Sequence, residues 1–252
     1  MGAEQYRSLA GVYEWIVPEP LLEPEWSVAA FSAVTDELAP GARVLDCACG
    51  TGQLAVGLAQ RGFRVAASDA SPAMVERTRA MAADHGVDVE TRVCPWQELP
   101  EQGWDGAFDA VFCVGNSLAH APGTAARRGA LAAMAGVLHE GGVLALTSRN
   151  WEGEKEGGSR LEVGERIVRR GEVDGLVIYS WTMAAEWEAR HDLEIAVALL
   201  GPDGSVRTTR ERLEVWPFRR ETLDDDLRSA GLTPASTTWQ TDVDRYMVTA
   251  RR

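Results

Sequence analysis

Lysine is almost absent from this 252-residue chain: Lys155 is the only one among 25 basic residues, and the rest are arginine. Positive charge is scarce overall, with 38 acidic residues against 25 basic ones and a formal charge of −13. A nucleic-acid groove or an anionic bilayer surface needs a basic footprint, so neither is expected as a partner. A local basic pocket is still allowed, and the arginine bias fits a GC-rich genome. Long apolar runs are missing as well. None approaches the roughly 18 to 20 residues of a spanning helix. Residues 1–10 also lack a charged segment leading into an apolar core, so no secretory leader is expected. Cysteine is limited to Cys47, Cys49, Cys94 and Cys113. Four are too few for a disulfide framework in a chain this long, and Cys-x-Cys without a second pair or a histidine cluster is poor zinc spacing. They are expected to be buried free thiols in a reducing cytoplasm, with no metal site.

What is present is ordinary globular material, 45% hydrophobic and 25% charged, enough for one large α/β domain or two small ones. Aromatics and prolines crowd the first forty residues (Tyr6, Tyr13, Trp15, Pro18, Pro20, Pro24, Trp26) before a helical pattern over 27–38. Residues 1–40 therefore read as a helical cap. From residue 42 the pattern alternates. Short apolar strands are predicted at 43–47, 63–68, 87–93, 108–114 and 143–148, with helices at 52–61, from Ser71-Pro72 to about 85, and at 124–138. Strands alternating with helices predict an α/β fold, a doubly wound, mainly parallel sheet of Rossmann type.

After Asn150 the character changes. Residues 152–158 are glycine-rich and charged, a loop signal, and strand-like runs then follow at 165–170, 176–183, 193–200 and 206–216 without helices between them. Gly201-Pro202-Asp203-Gly204 is a turn. An antiparallel sheet over 153–215 is expected, inserted into a main domain of 41–152 and 216–252. A helix at 221–230 and a last strand at 246–250 close the chain.

The informative stretch is Val44-Leu45-Asp46-Cys47-Ala48-Cys49-Gly50-Thr51-Gly52-Gln53-Leu54. A strand enters a glycine turn and a helix follows at once, so backbone can approach a ligand at the helix N-terminus. Gly-x-Gly with Ala55 in third place is formally compatible with a dinucleotide loop. Asp46 argues against it, since an acid just before the loop repels pyrophosphate yet can accept from an ammonium group. Asp69, closing the second strand, is placed to accept from both hydroxyls of a ribose.

With these residues in view, the chain resembles the class I S-adenosylmethionine-dependent methyltransferases. Residues 44–52 look like their first motif, 65–71 like their second, and Leu138-His139-Glu140-Gly141-Gly142 like the glycine turn before their fifth strand. Val114-Gly115-Asn116-Ser117-Leu118-Ala119-His120 and Ser148-Arg149-Asn150-Trp151 are similar to runs in the glycine and glycine/sarcosine N-methyltransferases. The resemblance implies S-adenosyl-L-methionine as cofactor and S-adenosyl-L-homocysteine as product. The cofactor would be bound by Asp46, Ala48, Gly50, Gly52, Asp69, Ala70, Pro95, Trp96 and Val114. It also implies an acceptor site with Asn116, His120 and Arg149, the arginine pairing with a substrate carboxylate. Tyr6 and Tyr13 are expected either to pack under the cap or to form a lid, a role better suited to Tyr13, whose ring face would meet a sulfonium. Pro95 stands where the family has a polar residue, so a side-chain hydrogen bond to adenine from that position is lost. A small-molecule methyl acceptor follows, most simply an amine or amino acid. The alternatives are an O-methyltransferase acting on a hydroxyl or carboxylate, and a nucleoside-binding regulatory module without turnover. A homo-oligomer is allowed.

Overall fold

In the computed structural model, which describes residues 6, 8–164 and 167–252, three short 3-10 turns (Leu9–Gly11, Tyr13–Trp15, Glu19–Leu22) lead into α1 (Pro24–Ala29) and α2 (Ser32–Thr35). The single helix predicted over 27–38 is thus broken. Phe31 leaves helical geometry at φ −111° and places its ring edge-on to Phe112, 5.6 Å between centroids. Burying that ring outweighs continuity of a weak helix.

The alternating units follow as predicted: β1 (Arg43–Asp46), α3 (Gln53–Gln60), β2 (Arg64–Asp69), α4 (Pro72–Asp84), β3 (Val89–Val93), β4 (Phe108–Cys113), α5 (Gly123–Val137) and β5 (Leu138–Arg149). β5 is longer than expected because it runs through the glycine turn at 139–142. The next segment is a correction. Residues 151–157 form α6 (Trp151–Gly157) rather than a loop. The Asn150 side chain accepts from the Gly153 N–H, Glu152 and Glu154 occupy the positive first turn, and Trp151 is fully buried beside Trp181. Capping and burial therefore override the glycines.

The chain then builds β6 (Arg160–Val163), β7 (Val168–Arg170), β8 (Val173–Thr182), β9 (His191–Leu200) and β10 (Val206–Val215), before α7 (Arg220–Ser229), β11 (Thr233–Thr237) and β12 (Arg245–Arg251). The strand predicted over 165–170 begins on residues outside those described. β6 and β11 were not anticipated.

The main sheet has the order β11-β12-β5-β4-β1-β2-β3, parallel from β3 to β5 and antiparallel at β12 and β11. The second sheet, β10-β9-β8-β6 with β7 also on β8, is antiparallel throughout. One core joins the two: Leu45 and Leu146 of the first, with Leu131 of α5 and Trp104 packed on it, share a cluster with Val177, Trp181, Val197 and Leu213 of the second. The N-terminal segment is pinned to the second sheet at Gly175, where a Cβ would stand 2.3 Å from the Trp15 ring. Among the described residues no helix is long and apolar enough to cross a membrane.

Candidate active site

The parallel strands direct their carboxyl ends to one edge, where open α/β sheets bind ligands. β1 ends at Asp46 and passes into a loop in which Gly50 (φ 54°) and Gly52 (φ 99°) hold left-handed dihedrals. Gly52 also lies against α4: a Cβ there would meet the Thr78 Cα at 2.9 Å. The Thr78 hydroxyl donates to the Gly50 carbonyl at 2.9 Å, so α4 holds the loop from below.

Asp69, at the end of β2, is 5% exposed and ties the loop from the side. Its Oδ2 accepts from the Gly50 N–H at 3.1 Å and its Oδ1 from the Ser71 N–H at 2.8 Å. Burial raises its pKa, against the pull of N–H groups from Ser71, Gly50 and Ala70. Asp46 is 1% exposed and poorly satisfied: Oδ1 accepts from the Ala48 N–H at 3.4 Å, and Oδ2 has no partner. Burial pushes its carboxyl up to about 7. A buried oxygen without a donor costs free energy, and a ligand ammonium would supply the donor.

Trp96 is buried, and its indole N–H donates to the Cys47 carbonyl at 2.7 Å, so the ring is fixed against the loop. Pro95 precedes it in extended geometry, Ala70 is buried beside Asp69, and Val114 is half-buried beyond β4. Trp96 and Asp69 are thus both tied to the loop that carries Asp46, Ala48, Gly50 and Gly52. The cysteines are buried free thiols, and no group of three metal-ligating side chains occurs among the described residues.

The acceptor side lies beyond β4 and β5. Asn116 adopts φ 68°, and its Oδ1 accepts from the Arg149 backbone N–H at 3.0 Å, tying the two strand ends together. His120 is 4% exposed, with Nδ1 2.9 Å from the Glu214 carbonyl. A carbonyl only accepts, so Nδ1 carries the proton. Nε2 is then the acceptor, and Tyr6 donates its hydroxyl to it at 2.8 Å. Burial drives the His120 pKa down to about 4, so the ring is neutral at neutral pH. Burial also raises the Tyr6 pKa well above its ordinary value, so that proton is firmly held. Glu211 places Tyr6 by accepting from the Ser8 and Leu9 N–H groups at 2.8 and 3.1 Å. Tyr13 packs edge-on to Tyr6, 5.9 Å between centroids, within reach of the charges of Asp69 and Arg245. The tyrosines thus bridge the cofactor cradle and the acceptor side.

Arg149 lies at this edge, but its Nη1 is 2.5 Å from Glu154 Oε1 and its guanidinium covers the Trp181 ring at 5.1 Å. Tyr179 of β8 and the exposed Arg245 of β12, which the sequence did not single out, lie close enough to Tyr13 and Arg149 to feel their charges. Neither sits in a motif, and only strand pairing brings them to the site.

The methyltransferase domain family matches residues 44–142. The chain is 39% identical over 132 residues to a glycine/sarcosine N-methyltransferase of Parasynechococcus marenigrum (strain WH8102), covering 52% of this chain and 46% of that one. It therefore spans about half the length of that relative. It is 30% identical over 202 residues to glycine N-methyltransferase of Homo sapiens, covering 75% of this chain and 68% of the human one. A ubiquinone biosynthesis O-methyltransferase of Xanthomonas campestris is 38% identical over 111 residues, 44% of each chain. Among solved structures, SAM-bound CalS10, an amino pentose methyltransferase from Micromonospora echinaspora, superposes with a TM-score of 0.69. That likeness covers 96% of this chain and 95% of that one at 22% identity, and it shows the shared fold.

Proposed function

The chain belongs to the class I S-adenosylmethionine-dependent methyltransferases, and on that premise we propose that it methylates the nitrogen of a small amine or amino acid. The observation that carries this reading is the state of His120. Its ring is neutral, its pKa is near 4, and its one lone pair is taken by Tyr6. A hydroxyl acceptor needs a base to take its proton, and neither His120 nor the strongly protonated Tyr6 can do so at neutral pH. An amine that arrives as its free base needs none.

The cradle fits the cofactor. The unpartnered Asp46 Oδ2 suits the ammonium group, the remaining lone pairs of Asp69 suit the ribose hydroxyls, and the glycine loop leaves room for close approach. When bound, S-adenosylmethionine supplies a methyl on a sulfonium, a good leaving group for in-line displacement. The Tyr6 oxygen, its own O–H donating to His120 Nε2, keeps lone pairs that can accept an acceptor N–H and orient the nitrogen. Tyr13 presents a ring to the cationic centre. An amine held at Tyr6 would lie in line with that methyl, and the ammonium formed by accepting it would lose its proton to water.

The test is methyl transfer to a panel of small amines, amino acids, phenols and alcohols, with products identified by mass spectrometry. N-methyl products are expected, with kcat/KM following the free-base fraction of the acceptor and no inflection from His120 between pH 5 and 8. Turnover confined to hydroxyl acceptors overturns the proposal. Tight cofactor binding with no turnover on any acceptor favours the regulatory module instead.

Asp46 carries a second expectation. An ammonium beside it stabilises the carboxylate and so lowers the raised pKa of the free site. Cofactor binding should then release a proton near pH 7, and affinity should rise as pH rises through about 7. Calorimetry in buffers of different ionisation enthalpy reads this directly. Asp46→Asn should abolish the release, and the same release from that variant contradicts the assignment.

In this reading the described residues of the N-terminal cap and of the inserted sheet border the acceptor side and select the substrate. Leu161, Val163, Leu200 and Val206 stay exposed on one face of the second sheet, which supports a homo-oligomer. The buried free thiols support a reducing, cytoplasmic setting.

A further inference from the structure

We infer that Glu211 is a positioning residue for methyl transfer: it latches the N-terminal segment so that the Tyr6 hydroxyl meets His120 on the acceptor side. This deepens the small-amine proposal and rests on it. Along β10 the side chains of Glu211, Leu213 and Val215 share one face, and in the register with β9 they stand opposite Ile195, Leu193 and His191. Those five neighbours are all buried. Glu211 is thus the one carboxylate in an otherwise enclosed row. A charge in such a place costs free energy unless hydrogen bonds satisfy it.

The bonds that satisfy it come from the N-terminal segment, 202 and 203 positions away in the chain. The 3-10 turn Leu9–Gly11 receives no side-chain cap from Ser8. Glu211 Oε2 takes that place, accepting from the Ser8 N–H at 2.8 Å and the Leu9 N–H at 3.1 Å, and its charge strengthens both bonds. Just before the turn, Tyr6 holds φ 67°, a left-handed conformation that a tyrosine keeps only where its surroundings impose it. The Ala10 N–H donates to the Tyr6 carbonyl at 2.9 Å, the Tyr6 hydroxyl donates to His120 Nε2 at 2.8 Å, and Glu211 anchors the two residues between. The other member of the pair is set by the same strand, since His120 Nδ1 donates to the carbonyl of Glu214, further along β10, at 2.9 Å. One strand of the second sheet therefore fixes both Tyr6 and His120. None of these bonds reaches Asp46, Asp69 or the glycine loop, so loss of Glu211 should misplace Tyr6 and leave cofactor binding as it is.

The test uses protein with isotope-labelled histidine, saturated with S-adenosylhomocysteine, and compares wild type, Glu211→Gln, Glu211→Ala and Tyr6→Phe by nitrogen NMR. The His120 Nε2 resonance, identified by its loss in His120→Asn, reports whether a hydroxyl donates to it. Glu211→Ala should move the resonance to its position in Tyr6→Phe. Glu211→Gln, whose amide oxygen can still accept from both N–H groups, should stay near wild type. With an accepted amine, kcat of Glu211→Ala should fall about tenfold or more, as expected when an orienting group is misplaced. Its affinity for S-adenosylhomocysteine should stay within about twofold of wild type. An unmoved resonance in Glu211→Ala, a resonance displaced equally in Glu211→Gln, or cofactor affinity that falls as far as kcat overturns the inference. The resonance needs no turnover, so its failure is distinct from failure of the amine panel.

Discussion

Asp69→Ala should weaken S-adenosylmethionine binding by about a hundredfold. The carboxylate is assigned to both ribose hydroxyls, and hydrogen bonds to a charged group contribute about 1.5 to 3 kcal/mol each. Losing both acceptors costs about 3 kcal/mol, or roughly a hundredfold in affinity. The same carboxylate holds the Gly50 and Ser71 N–H groups, so the variant also frees the glycine loop from β2. Asp69→Asn separates the two effects. Its amide oxygen can accept from one N–H while charge and one acceptor are lost, so its affinity should fall between wild type and Asp69→Ala. Titration calorimetry of the three proteins decides it. Unchanged affinity in Asp69→Ala removes the ribose assignment.

Gly52→Val should be the most destabilising loop substitution. Gly52 sits at φ 99°, where a β-branched residue is strained by about 1 to 3 kcal/mol. Its Cβ would also stand 2.9 Å from the Thr78 Cα, which is backbone and cannot rotate away. Either α3 or α4 must shift, and overpacking of this kind costs about 1 to 3 kcal/mol more. The sum, about 2 to 6 kcal/mol, corresponds for a chain of this size to a fall in Tm of about 4 to 24 °C. Binding should fail as well, because the displaced atoms are the cradle itself. Gly50→Ala serves as the contrast: its φ of 54° is a strain a small residue tolerates better, and nothing lies within 4 Å of the added Cβ. Thermal unfolding that ranks Gly50→Ala below Gly52→Val contradicts this account of the loop.

The five parallel strands were legible because most are buried on both faces and read as short apolar runs between helices. The glycine loop and Asp69 were legible because strand, turn and helix follow one another without a gap. The elements that escaped depend on distant partners. α6 contains Gly153 and Gly157, and only the Asn150 cap and the burial of Trp151 make it helical. β11 carries Pro234 and is exposed along most of its length, so it has no apolar period to read. The break between α1 and α2 comes from the Phe31–Phe112 contact, which no local pattern announces.

The site divides in the same way. Asp46, Asp69 and the glycines could be placed from neighbours within a few positions in the chain. The pairing of Tyr6 with His120 spans 114 positions, and the register that sets Arg245 opposite Arg149 exists only in the folded sheet. Sequence allows Arg149 either a substrate carboxylate or the acidic stretch 152–156, and in the structure it pairs with Glu154, five residues on. A charge near a motif and its local rivals can be read from sequence, but which of them it takes depends on the fold.

The most direct test of the account is a crystal structure of this chain with S-adenosylhomocysteine bound. The account predicts the ribose hydroxyls on the Asp69 carboxylate, the ligand ammonium on Asp46, and the sulfur facing Tyr6 and His120. A ligand whose ribose leaves Asp69 bonded only to Gly50 and Ser71, or whose sulfur faces away from Tyr6, contradicts it.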